Sequence, residues 1–252
     1  MIDVLVTGAA GKMGSMSAAT IAGQRDLRLV ALVDPRGGKA GDAPVFRSVE
    51  EALALTSPQV ALEFSVPAAV FANVSKLLEA GVPTVVGATG LADEQVETLR
   101  AAAKTAGVGL AIVPNFALGA VLLMRFAAEA ARYYEHAEII EMHDKAKVDS
   151  PSGTSLRTAR LMIDAPGSAV QAAPATDMAA RGMAVGGAVP VHSVRLPGLV
   201  AHQEVLFGGV DELLTLRHDS LSRRSFMSGV LIALRRVTTL NETVIGLEHL
   251  LD

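Results

Sequence analysis

The sequence predicts an α/β protein: a doubly wound parallel sheet joined to an α+β domain with a mixed sheet. Three observations carry that expectation. Strand-like and helix-like segments alternate with short connections up to residue 113. The strand-like segments there are apolar throughout, as in strands covered on both faces. From residue 118 the pattern changes to a long helix followed by strands, two of them with period-two alternation.

Residues 2–7 form a β-branched run, and 12–22 read as a helix opened by glycines. A second strand, 27–33, ends at Asp34. The helix over 48–55 has Ser48 as N-cap and Glu51 three residues on, the spacing of a capping box. Strands follow at 60–65, 83–87 and 109–113. Between them lie helices at 68–80, stopped by Gly81, and 93–106, ended by Gly107. Next come a helix over 118–134, a strand over 137–142 and a helix over 154–164. The segment 165–187, rich in Ala, Gly and Pro, reads as an irregular loop. Strands at 189–196, 203–208 and 212–219 precede a closing helix over 223–237.

Composition narrows the function. Of 252 residues, 50% are hydrophobic and 19% charged, with a net charge of −4. A nucleic-acid binder normally carries a basic surplus, so that class is disfavoured. There is no cysteine, which excludes disulfides and thiolate metal sites and fits a cytoplasmic protein. The histidines lack ligand spacing, so no metal is expected. No apolar run reaches the roughly 18 residues of a membrane helix, and no targeting peptide is expected at the N-terminus.

A cofactor site is expected at the first strand–helix junction, Gly8-Ala9-Ala10-Gly11-Lys12-Met13-Gly14. One glycine permits a tight turn, another lets backbone approach a pyrophosphate, and the helix start offers N–H donors. The bland reading is a glycine-rich turn with no ligand. Asp34 argues against it, because a carboxylate about 20 residues on, at the end of the second strand, suits the ribose hydroxyls. Asp34 repels a 2′-phosphate, but Lys12, Arg36 and Lys39 lie near it in sequence. NADH and NADPH both stay open. Two further loops follow strand ends and join the candidate cofactor residues: Gly87, Ala88 and Thr89, then Pro114, Asn115 and Phe116. Taken alone, both loops read as ordinary turns.

The densest polar stretch spans 141–154. It contains Glu141, His143, Asp144, Lys147 and Asp149, then Pro151-Ser152-Gly153-Thr154 at a helix start. Backbone N–H groups and hydroxyls there suit a carboxylate, and His143 with Lys147 supplies a titratable group and a cation. The bland reading is a solvated charged loop with a Ser-Gly-Thr cap.

The stretch resembles the motif E-x-H-H-x-x-K-x-D-A-P-S-G-T of the 4-hydroxy-tetrahydrodipicolinate (dihydrodipicolinate) reductases. It matches at Glu141, His143, Lys147, Asp149, Pro151, Ser152, Gly153 and Thr154. It departs at Asp144, where the family has a second histidine, and at Ser150 in place of alanine. Other family segments sit in order along the whole chain, among them Glu63-Phe64-Ser65, Pro114-Asn115-Phe116-Ala117 and Arg217-His218-Asp219-Ser220.

The resemblance implies reduction of the cyclic product of the preceding lysine-pathway synthase to tetrahydrodipicolinate, with hydride from NADH or NADPH. It makes His143 and Lys147 the catalytic pair. Asp144, Ser152, Gly153 and Thr154 become the residues around a dicarboxylate substrate. It further implies a dinucleotide-binding domain of residues 1–116 and 226–252, a substrate-binding and oligomerisation domain of residues 117–225, and a homotetramer. His192, His202 and His218 are expected on the apolar strand face, as structural or interfacial residues. Asp144 should repel a dicarboxylate unless it turns away or pairs with Lys145, Lys147 or Arg195. Rival readings are an aspartate-dehydrogenase-like enzyme for another dicarboxylate and a nucleotide-sensing regulator without turnover.

Overall fold

The computed structural model describes residues 1–37, 43–173 and 180–251. Lys39, one of the cations expected near Asp34, lies outside the described residues. The chain divides into two compact units, Met1–Phe116 with Phe226–Asp252, and Ala117–Ser225.

The first unit carries a seven-stranded parallel sheet. Its strands are β1 (Ile2–Thr7), β2 (Leu27–Val33), β3 (Val45–Phe46), β4 (Val60–Glu63), β5 (Thr84–Val86), β6 (Leu110–Ile112) and β12 (Thr243–Ile245). Their spatial order is β12-β6-β5-β4-β1-β2-β3. The helix α3 (Pro67–Glu79) packs on both α2 (Val49–Leu55) and α4 (Asp93–Ala106), and α1 (Lys12–Ala22) packs on α7 (Met227–Val237). The strands are apolar because helices cover both faces. Leu5, Leu62, Leu77, Leu78, Leu99 and Leu110 are fully buried. Each such side chain contributes roughly 1.5–3 kcal/mol relative to exposure.

The second unit carries a five-stranded mixed sheet, ordered β11-β10-β7-β9-β8. The strands are β7 (His136–His143), β8 (Met183–Val185), β9 (Val189–Arg195), β10 (Ala201–Gly209) and β11 (Glu212–Ser220). β7 and β9 run parallel; the other pairs are antiparallel. The helices α5 (Leu118–Ala130) and α6 (Gly153–Ile163) pack on each other and on this sheet. Ile139, Met162, Val191, Val205 and Phe207 fill the core between them.

Several local expectations change. The helix expected over 118–134 stops at Ala130, because Arg132 and Tyr133 bond three residues back and turn the chain toward β7. The closing helix begins with a 3₁₀ turn, Arg223–Phe226, before α7. The loop expected over 165–187 contains β8, which pairs with β9. The strands β3 and β12 lie at the sheet edges and are too short to show a period. Ser48 caps α2 as expected, accepting from Glu51 N–H at 3.2 Å, but the Glu51 carboxylate returns to Arg47 N–H at 2.9 Å. Of the three histidines expected on the apolar strand face, His192 and His202 lie on the opposite side, paired with Ile140 and Met142, and His218 alone lies on the side that packs on the helices. It pairs with Gln203 in register and sits against Gly119 of α5.

Candidate active site

The glycine loop expected to bind a cofactor lies at the carboxyl ends of β1, β2 and β4. Gly8 has φ +62°, and a Cβ there would lie 2.3 Å from the Phe64 carbonyl oxygen. A Cβ on Gly14 would lie 2.1 Å from the Gly8 carbonyl oxygen. Both positions therefore exclude any side chain. Gly11 N–H donates to Gly8 O at 2.9 Å, and Ala9 N–H to Val33 O at 3.2 Å. Gly11 is also the N-cap of α1 and offers no capping side chain. Lys12 is exposed and Met13 half-buried as the helix opens. This backbone cradle fits a pyrophosphate.

Asp34 is buried beside the cradle. Its Oδ2 accepts from Ala10 N–H at 3.0 Å, and its Oδ1 from Arg36 N–H at 3.1 Å. The Arg36 guanidinium pairs with both oxygens. That bond, together with the backbone donors and against the cost of burial, holds the carboxyl down at about 2. A cavity of about 490 Å³ opens here, and Gly8, Gly11, Asp34, Arg36, Arg47 and Lys76 are among its lining residues. No sequence motif marks Arg47 and Lys76, which reach the cavity from separate elements. Lys76 is paired with Glu50.

The other two loops lie at the ends of β5 and β6. Gly87 and Ala88 N–H both donate to Glu63 O, and Thr89 is exposed. Phe116 is buried and packs edge-to-face on Phe64, with ring centroids 5.6 Å apart. Pro114 is exposed beside it, and Asn115 is half-buried with a bonded partner. Phe64 was quoted only as part of a family segment, yet it lines the cavity as well.

In the second unit the polar stretch is built on β7. Ala137, Ile139 and Glu141 are buried on the core-facing side of that strand, and His143 follows at its end. Glu141 is fully buried. It accepts from His143 Nδ1 at 2.5 Å, from Arg195 Nη1 and Nη2 at 2.9 and 2.8 Å, and from Ser152 N–H at 3.2 Å. Burial opposes its ionisation, but the bonds from His143, Arg195 and Ser193 outweigh it and hold the carboxyl at about 2.

Lys147 Nζ bonds both carboxylate oxygens of Asp149 at 2.7 Å. This places the Asp149 carboxyl below its usual range. Arg195 Nη2 donates to Asp149 O at 2.6 Å. Asp144 turns back on its own loop: Oδ1 accepts from Ala146 N–H at 2.9 Å, and its carbonyl accepts from Lys147 N–H at 3.0 Å. The Asp144 carboxylate is thus bonded to its own loop.

Ser152 is buried and caps α6. Its hydroxyl accepts from Ser155 N–H at 3.2 Å and lies 2.8 Å from Ser155 Oγ. From Ser155 the chain of bonds runs to Gln203 and on to Thr158. Gly153 heads the helix, with nothing within 4 Å of where a Cβ would stand. Thr154 follows with a bonded partner. Among the described residues no group of three or more His, Asp or Glu is placed to hold a metal ion.

The sheet order and the glycine cradle define a two-domain protein of the dinucleotide-binding class. The family can be given more narrowly. The family model for the N-terminus of dihydrodipicolinate reductase matches residues 2–116, and that for its C-terminus matches residues 119–251. The chain belongs to this family.

The 4-hydroxy-tetrahydrodipicolinate reductase of Moorella thermoacetica is 44% identical, with 100% of this chain and 98% of the relative covered. That of Streptococcus suis is 45% identical, covering 99% of each. Among solved structures, the dipicolinate-bound dihydrodipicolinate reductase from Paenisporosarcina sp. TG-14 superposes over 100% of both chains, with a TM-score of 0.90 and 40% identity. A probable dehydrogenase from Thermotoga maritima shares the fold at 13% identity, with a TM-score of 0.70 over 99% of this chain and 92% of that one. Nothing in these matches favours the aspartate-dehydrogenase-like or the regulatory reading.

Proposed function

We propose that this chain reduces 4-hydroxy-tetrahydrodipicolinate, or the dihydrodipicolinate formed from it, to tetrahydrodipicolinate in the diaminopimelate and lysine pathway. The observation that carries the reading is the cluster in which Glu141 joins His143, Arg195 and the start of α6, next to the Lys147–Asp149 pair. Apart from Arg195, the cluster falls within the segment that resembles the family motif. The dinucleotide supplies the hydride when it is bound. The Gly8–Gly14 cradle holds its pyrophosphate, Asp34 its ribose, and the Gly87 and Pro114 loops complete the binding surface.

Lys147 is the general acid that protonates the reduced ring, and Asp149 holds its ammonium in place. His143 serves as proton donor and acceptor or as electrostatic support. The backbone around Gly153 and Thr154 takes one substrate carboxylate at the helix N-terminus. The Ser152 hydroxyl caps its own helix and its N–H bonds Glu141, so Ser152 serves the site by holding Gly153 and Thr154 in place. Asp144 lies beside the substrate with its carboxylate spent on Ala146.

The chain uses both NADH and NADPH. Asp34 receives the ribose of NADH once Arg36 releases it, and Arg36 receives the 2′-phosphate of NADPH. The chain assembles as a homotetramer through the face of the second sheet opposite α5 and α6. Exposed Leu213 and the half-buried Leu206 and Ile140 lie on that face. Cytoplasmic nicotinamide pools suit this activity. No described helix is long and apolar enough to cross a membrane.

The test is a coupled assay with freshly made synthase product, following oxidation of NADH and NADPH in parallel. Substrate-dependent oxidation of both is expected. Turnover only of another dicarboxylate would overturn the reading.

A further inference from the structure

We infer that Glu141 is the positioning residue of this active site: one buried carboxylate sets the ring of His143, the first turn of α6 and Arg195 together. The inference rests on the reductase reading above and adds to it a residue that touches neither substrate nor cofactor.

A buried carboxylate is costly unless donors surround it. Glu141 has them in His143 Nδ1, the two Arg195 Nη groups, Ser152 N–H and the Ser193 side chain. They come from three elements, β7 itself, β9 and the start of α6. An ionised carboxylate can only accept, so the proton on this side of the His143 ring sits on Nδ1. That bond fixes the ring's orientation and leaves Nε2 as the atom for substrate chemistry. Without it the ring can turn over and present either nitrogen.

The same carboxylate reaches the substrate side by two routes. Through Ser152 N–H it ties down the residue immediately before Gly153. Through Arg195, which also bonds Asp149 O, it ties down the residue that pairs with Lys147. A shift of Glu141 therefore displaces the proton groups and the carboxylate site in concert. Misplacement of about 1 Å costs on the order of 100-fold in rate.

Gln203 provides the contrast. It is also buried and polar, and it pairs with Glu141 in register. Its amide bonds Ser155 and Thr158. Neither of those is a proposed proton donor or substrate ligand.

The experiment compares Glu141→Gln, Glu141→Asp and Gln203→Met as full-length enzymes. It also uses ¹⁵N-histidine labelling, with the His143 signals assigned by their loss in His143→Gln. In Glu141→Gln, kcat should fall by about 100-fold while KM for the nucleotide stays within about twofold. The downfield His143 Nδ1–H resonance should disappear, and Glu141→Asp should recover part of both. Gln203→Met should lower Tm but keep kcat within about threefold.

Retention of kcat in Glu141→Gln, or an unchanged His143 resonance, overturns the proposal. So does an equal kcat loss in Gln203→Met, since that would mark a general packing effect. If Glu141→Gln does not fold, the wild-type spectrum decides. A proton on Nδ1 supports the proposal, and a proton on Nε2 alone overturns it. Failure of the wild type to turn over the synthase product would sink the reductase reading, and the spectra would still test the Glu141–His143 bond.

Discussion

Arg36 straps both oxygens of Asp34, with Nε 2.9 Å from Oδ1 and Nη2 3.0 Å from Oδ2. The carboxylate expected to meet a ribose is thus already engaged by a cation that is itself mostly exposed. Arg36→Ala should raise KM for NADPH by about tenfold or more, the worth of one charge-assisted bond, and leave NADH nearly unchanged or improved. Steady-state kinetics with both nucleotides checks this. Equal losses for the two would remove Arg36 from phosphate recognition.

Asp34 also gives acid sensitivity a definite sign. Its folded pKa of about 2 lies below the unfolded value of about 3.9. Its contribution is therefore complete above about pH 4 and fades as the pH falls toward about 2. The size is on the order of 2 kcal/mol. Denaturant midpoints at neutral pH and near pH 3 should differ less in Asp34→Asn than in the wild type.

Gly14→Ala should disrupt the nucleotide loop. The new methyl would stand 2.1 Å from the Gly8 carbonyl oxygen, so backbone must move. A stability loss of about 2 kcal/mol or more is expected, with nucleotide affinity reduced at least tenfold. Calorimetry and fluorescence titration with NADH measure the two effects. Wild-type affinity in this variant would show that the cradle does not hold the pyrophosphate.

Lys147→Ala should reduce kcat by roughly 10²–10⁴-fold, the usual range for a lost general acid. Nucleotide affinity should stay close to wild type. Single-turnover rates with prebound nucleotide isolate the chemical step. Surviving activity would mean that the assigned acid is wrong.

Asp144→His should retain or improve substrate binding. The native carboxylate is spent on Ala146 N–H, and the replacement removes a negative charge beside a dicarboxylate. Substrate KM is the readout. A large rise would show that Asp144 is more than a tolerated replacement for the family's histidine.

Much of this is legible in the sequence. Gly8, Gly11 and Gly14 lie within seven residues, so the loop they form is a local matter of backbone sterics. The strands of the first sheet were legible because burial on both faces demands continuous apolar runs. Arg195 was harder to place. It comes 54 residues after Glu141 and meets it only because β7 and β9 pair in parallel, with His143 opposite Arg195. Arg47 and Lys76 likewise converge on the cavity beside Asp34 from the end of β3 and from α3. No spacing rule relates them.

The sequence alone determined the family, the parallel sheet, the glycine cradle and the polar stretch to which the proposed chemistry is assigned. All of these depend on periodicity, backbone sterics or contiguous motifs. The tertiary structure alone decided where the charges go. It turned Asp144 onto its own loop, spent Ser152 on a helix cap and gathered His143, Arg195 and Ser152 around Glu141. Hydrogen bonds and ion pairs depend on distances of a few ångströms between elements, and strand register sets those distances, not separation along the chain.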